Sequence, residues 1–158
     1  MSTADKPMPS AAPFDPSVLD PIDDGFLLLD ADDRVVWFTE PVLRFFPHLE
    51  EYLRPGVSFS DLVEHDVDAK RQSRFPGEAD SWRERRMDVH ARSHGRIDGR
   101  LPTGRWVRTI DHTTAEGGRI VHYRDVTEDR RNVEEATKFT ALLHSTIENI
   151  SQGICAYD

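Results

Sequence analysis

The sequence predicts an α+β domain: a five-stranded antiparallel sheet, short helices packed on one face, and a long helix leaving its C-terminal end. Three observations lead there. Two runs rich in Trp, Val, Ile, Tyr and Thr, Gly104 to His112 and Arg119 to Thr127, flank Ala115-Glu116-Gly117-Gly118 and read as a β-hairpin. Two shorter apolar runs near residue 30, joined by Ala31-Asp32-Asp33, read as another. Between these pairs the apolar spacing changes from two to three and four, and beyond Thr127 a polar stretch without Gly or Pro runs to residue 150.

Composition sets the outer limits. The chain has 158 residues, 37% hydrophobic and 31% charged, which suits one domain of about 100–150 residues with appendages. A net charge of −9 offers no basic footprint for phosphate backbones, so no nucleic-acid partner is expected. No apolar run reaches the roughly 20 residues of a bilayer span, and no signal peptide opens the chain, so a cytoplasmic location is expected. Cys155 is the single cysteine, which excludes an internal disulfide and fits a reducing compartment.

Residues 1–16 carry Pro7, Pro9, Pro13 and Pro16 among small and polar residues and are expected to be disordered. The domain proper is assigned to 17–127. Strands are expected over Phe26 to Asp30 and Arg34 to Phe38. Glu40-Pro41 starts a short helix that Pro47 stops, and one or two more turns follow before Arg54-Pro55-Gly56. Ser58 caps a helix whose Phe59, Leu62, Val63 and Val67 form one apolar stripe. Residues 79–94 read as a polar surface helix pinned by Trp82 and ended by Gly95, with Arg86 contributing its aliphatic stem. A strand over Arg96 to Leu101 then turns at Pro102-Thr103-Gly104 into the Trp106 strand.

An even-numbered loop in the last hairpin would oppose Arg108 to Asp125 and Asp111 to His122. It would also place Trp106, Ile110, Val121 and Tyr123 on the face toward the helices. Thr127, followed by Glu128 and Asp129, is expected to cap the final helix over 128–150.

Asp125-Val126-Thr127 at the end of the last strand, the Gly104-Arg105-Trp106-Val107-Arg108 strand before it, and the paired run from Asp24 to Val36 together resemble a PAS sensory domain. The resemblance covers roughly residues 19–127 and is greatest to PAS units of bacterial multi-PAS signalling proteins, sensor histidine kinases or diguanylate cyclases. Thr39 stands where many relatives carry Asn. The family implies a regulatory module that senses a ligand, dimerises, or both, and acts on a downstream output domain such as a histidine kinase. It is not itself expected to be an enzyme. Arg108, Asp125, Val126 and Thr127 would transmit the signal from sheet to helix.

The family often holds a small molecule between sheet and helices. Phe26, Leu28, Trp37, Trp106, Ile110 and Tyr123 are the candidates to line such a pocket, and equally the candidates simply to fill a core. A ligand-free interaction or structural module is therefore the second reading, and a small hydrolase a distant third. Some relatives bind haem through a histidine before the third strand, where His90 and His94 fall. This segment shows no apolar surround for a porphyrin, and haem is not expected. The flavin photosensors of the family need a cysteine that 19–127 lacks, and zinc ligands at the usual spacing are missing, so no cofactor or metal is expected.

In the final helix Val133, Ala136, Thr140, Leu143, Ile147 and Ile150 alternate steps of three and four, the a/d seam of a parallel coiled coil that would make a homodimer. The same helix could instead fold back on its own sheet. Residues 147–158 align without gaps on 19–30, sharing Ile, Gly and Asp, so 151–158 read as the truncated start of a second PAS repeat.

Overall fold

The computed structural model describes residues 16–19 and 21–155. Strands β1 (Gly25–Leu29) and β2 (Val35–Phe38) lead into helix α1 (Glu40–Phe45), α2 (Phe59–Arg71) and α3 (Ala79–His90). Then come β3 (His94–Arg100), β4 (Trp106–Thr113), β5 (Arg119–Asp125) and helix α4 (Thr127–Cys155). Single 3-10 turns cover Pro16–Leu19, Pro47–Leu49 and Pro76–Glu78. The sheet is antiparallel in the order β2-β1-β5-β4-β3, so the first and last hairpins meet at its centre. Of residues 1–16, expected to be disordered, 1–15 lie outside the described residues, as do 156–158, and Pro16 opens the first 3-10 turn. Residues 151–155, assigned from sequence to the start of another repeat, continue α4 as helix.

Helix positions follow the sequence logic. Pro41 sits in the first turn of α1, and the Ser58 hydroxyl accepts from the Asp61 amide at 3.1 Å to cap α2. Phe59, Leu62, Val63 and Val67 are all buried on one stripe. Thr39, at the N-terminus of α1, makes no cap bond there; its hydroxyl accepts from the Phe26 amide at 2.8 Å and ties β1 to the end of β2. Two element boundaries differ from expectation. α3 stops at His90, and Gly95 lies inside β3 rather than ending a helix. In the same strand Gly99 admits the Trp82 indole, since a Cβ there would come within 2.3 Å of the ring.

The last hairpin corrects the expected register. Thr113 pairs with Arg119, the Thr114 amide donates to the Gly118 carbonyl, and the loop proper is Ala115-Glu116-Gly117, three residues with Gly117 at φ +84°. A type I turn completed by a left-handed glycine is the usual three-residue solution, and the Gly117 amide bonds back to the Thr114 carbonyl. An odd loop changes the parity of pairing. Arg108 therefore opposes Arg124 rather than Asp125, and Asp111 opposes Val121 rather than His122.

The parity shift exchanges the two faces of β4, while Val121 and Tyr123 of β5 stay on the expected face. Val107, Thr109, Asp111, Val121 and Tyr123 are buried toward the helices, joining Leu27 and Leu29 of β1 and Val35 of β2. Trp106 and Ile110, expected on that face, lie on the opposite one. Against the inner face pack Val42, Phe45, Phe46, Leu49, Leu53, Phe59, the α2 stripe and Trp82, which together form the core.

Candidate functional site

Between the inner sheet face and the helices, one cavity is lined by Leu27, Phe46, Phe59, Asp66, Arg86 and Tyr123, among others. Its volume is about 30 Å³, room for a water or two. Of the six residues singled out from sequence, Tyr123 alone reaches it. Phe26, Leu28, Trp37, Trp106 and Ile110 occupy the outer face of the sheet, half-buried. There Phe26 stacks on His122 at 4.8 Å, and His122 meets the Asp24 carboxylate at 2.7 Å.

Two polar networks border the cavity. In the first, buried Asp66 of α2 accepts from the Trp82 indole at 2.8 Å, with the Lys70 ammonium 4.0 Å away over the same indole. His48 Nε2 lies 3.2 Å from the other Asp66 oxygen, but neither atom makes an aligned hydrogen bond. In the second, Arg86 of α3 donates through both terminal nitrogens to Asp111 of β4, at 2.8 and 2.9 Å. His90, one turn on, places Nδ1 2.7 Å from Asp111 and Nε2 3.0 Å from Asp33, and stacks on Phe59. Burial alone would push the Asp111 carboxyl up; the His90 hydrogen bond and the Arg86 charge outweigh it and hold Asp111 below the usual range. Burial pushes the Tyr123 hydroxyl in the same cavity upward.

These placements bear on the histidine reading. His90 is 2% exposed rather than on a solvent face, because the carboxylates satisfy both its nitrogens. His94 is exposed on β3 instead of on the helix, and ligating an iron through His90 would mean breaking that buried arrangement. Sequence reasoning took Arg86 as an aliphatic stem, missed Asp66 and Lys70, and considered His90 only as a haem ligand. The available signal was that Asp66 and Lys70 fall on the apolar stripe of α2, one turn apart, opposite Trp82 and Arg86.

The joint between β5 and α4 is the second candidate. The Asp125 carboxylate accepts from the Thr127 amide at 2.8 Å and pairs with Arg105, while Val126 is buried. The helix begins at Thr127, but the threonine hydroxyl accepts from the Trp106 amide at 2.8 Å instead of capping the helix. The Val126 amide donates to the Trp106 carbonyl at 2.9 Å. Burial pushes Asp125 up, and the Thr127 and Arg105 hydrogen bonds more than reverse this, leaving it low. Arg108 is not Asp125's partner: it grips Asp98 of β3 at 2.9 and 3.0 Å. Arg130, in the first turn of α4, reaches the same Asp98 at 3.4 Å and lies 3.8 Å over the Trp106 ring. Asp98 is accordingly held low, first by the Arg108 hydrogen bond.

Past this joint α4 leaves the domain. Val133, Ala136, Thr140, Leu143 and Ile147 are exposed, and so are Phe139 and Leu142, which sequence reading had not included. The alternative of a helix folded back on its own sheet does not hold for the described side chains; that of Ile150 lies outside them.

Known proteins provide the remaining comparison. No curated protein matches the sequence. Solved structures similar to this chain include a phage VqmA–DPO complex (15% identity, 78% of this chain and 56% of that one, TM-score 0.46). The sensor region of a sensor histidine kinase is 24% identical over 69% of this chain and 41% of that one, with a TM-score of 0.47. The PAS domain of Bordetella pertussis BvgS is 16% identical, covering 79% and 93%, with a TM-score of 0.45. The chain spans about half the length of the first two. A family model of the PAS fold matches residues 19–134, from the turn before β1 into α4 and so over most of the sequence. The chain belongs to the PAS-fold family.

Proposed function

We propose that this chain is a regulatory sensor and dimerisation module of a bacterial signalling protein, cytoplasmic, which passes its state through α4 to a downstream output domain such as a histidine kinase or a diguanylate cyclase. One observation carries the reading: a helix tied to the sheet at Asp125, Thr127 and Arg130 leaves the domain with its apolar residues uncovered. Val133 is 66%, Leu143 48% and Ile147 61% exposed, in steps of three and four with Ala136 and Thr140 between them. Such a seam is complementary to itself, so the occupant it fits is a second copy in parallel. A shift in the sheet then re-aims both helices at once. A signal need favour one arrangement by only a few kcal/mol to change the output.

The test is sedimentation of the parent and of Leu143→Asp. A dimeric parent at tens of micromolar and a folded monomeric variant support the reading. A monomeric parent, or a variant that stays dimeric, overturns it.

A specific observation favours the ligand-free version of this module. The cavity beside Tyr123 is too small for an organic ligand without rearrangement, since cores at this density leave room only for water. The outer-face residues Phe26, Leu28, Trp37, Trp106 and Ile110 are then packing and contact residues. Native mass spectrometry decides this point: a retained small molecule would restore the ligand-sensing version.

A further inference from the structure

Strand pairing, rather than sequence spacing, brings two imidazoles together at the edge of the sheet. His94 opens β3, the outermost strand, and lies directly opposite His112 of β4. Both are exposed, and their Nδ1 atoms are 3.3 Å apart with ring planes at 68°. Two nitrogens bound at about 2.0–2.1 Å to one tetrahedral cation sit about 3.3–3.4 Å apart, which is this separation. Among the described residues no group of three or more His, Cys, Asp or Glu side chains could hold a metal, so a site here would have two protein ligands.

Protonation chemistry narrows what can lie between the rings. Two imidazolium ions at this distance repel, and two neutral rings that both aim lone pairs inward repel as well. A shared proton satisfies the pair, and so does a cation accepting both lone pairs. We propose that His94 and His112 form a surface site for one borderline divalent cation, of the Zn²⁺, Ni²⁺ or Cu²⁺ class, bound through both Nδ1 atoms and completed by water. Imidazole suits this class, whereas Mg²⁺ and Ca²⁺ favour oxygen donors. Each Nε2 keeps its proton and faces solvent. An occupied site ties the edge strand β3 to β4, four residues from the Asp98 that holds Arg108 and Arg130.

The experiment titrates the chelator-treated full chain with ZnCl₂ and NiCl₂ by calorimetry, beside His94→Gln, His112→Gln and the control His144→Gln on exposed α4. The expected result is one cation per chain for parent and control, lost in either strand variant, whose unchanged circular dichroism shows that they fold. In ¹⁵N-labelled parent, zinc shifts the Nδ1 resonances of His94 and His112 and leaves their Nε2 protonated. Absence of binding, binding that survives either strand substitution, or zinc shifts at Nε2 instead overturns the proposal.

Discussion

Trp82 and Trp106 differ in what surrounds them, and their truncations should differ accordingly. Trp82 is buried against Gly99 and donates to Asp66. Trp82→Ala should cost about 3–5 kcal/mol, as a large aromatic removed from a core does. Trp106 is half-exposed under Arg130, so Trp106→Ala should cost only about 1–2 kcal/mol, from partial burial and the lost cation–π contact. Urea unfolding of both variants checks the order; equal losses would contradict the face assignment. Asp111 yields a pH prediction. Its carboxyl is held below the ordinary value of 3.8, so the folded chain binds fewer protons there than the unfolded one. The stability it contributes is in place above about pH 4 and is lost as pH falls through the folded value. Asp111→Asn should cost about 3–5 kcal/mol at pH 7 by leaving Arg86 buried and unpaired, and should flatten the acid limb of stability against pH. An acid limb as steep as the parent's would rule out this role for Asp111.

Single elements turn on smaller decisions. The β4–β5 hairpin takes its register from one left-handed residue, and Gly117→Ala forces a side chain into φ +84°. The substitution should cost about 1–2 kcal/mol, read as a fall in melting temperature with the fold retained; a gain in stability would mean that the turn has relaxed to another type. How far the sequence discloses the elements follows from the same hairpin. The strands were legible from β-branched and aromatic composition, the α2 stripe from its spacing, and the order of elements from both. Loop parity was not, because Ala115-Glu116-Gly117-Gly118 admits two-, three- and four-residue turns that differ by little in energy. That one uncertainty sent Trp106 and Ile110 to the wrong face. The buried pairing of His90 with Asp111 escaped notice for another reason: its partners are 21 or more residues distant and only the fold brings them close.

On the scale of the molecule, the domain and its helix are joined through few atoms. Asp98 is bound by Arg108 from within the sheet and by Arg130 from α4, while Thr127 and Val126 are hydrogen-bonded to both backbone groups of Trp106. These bonds tie β4 and β5 directly to the first turn of the helix. At 29 residues and about 1.5 Å per residue, α4 is about 43 Å long. Its far end is a lever: a tilt of about 5° at the joint swings it sideways by about 4 Å. A displacement too small to open a visible gap in the core would arrive there as a sideways shift of several ångströms.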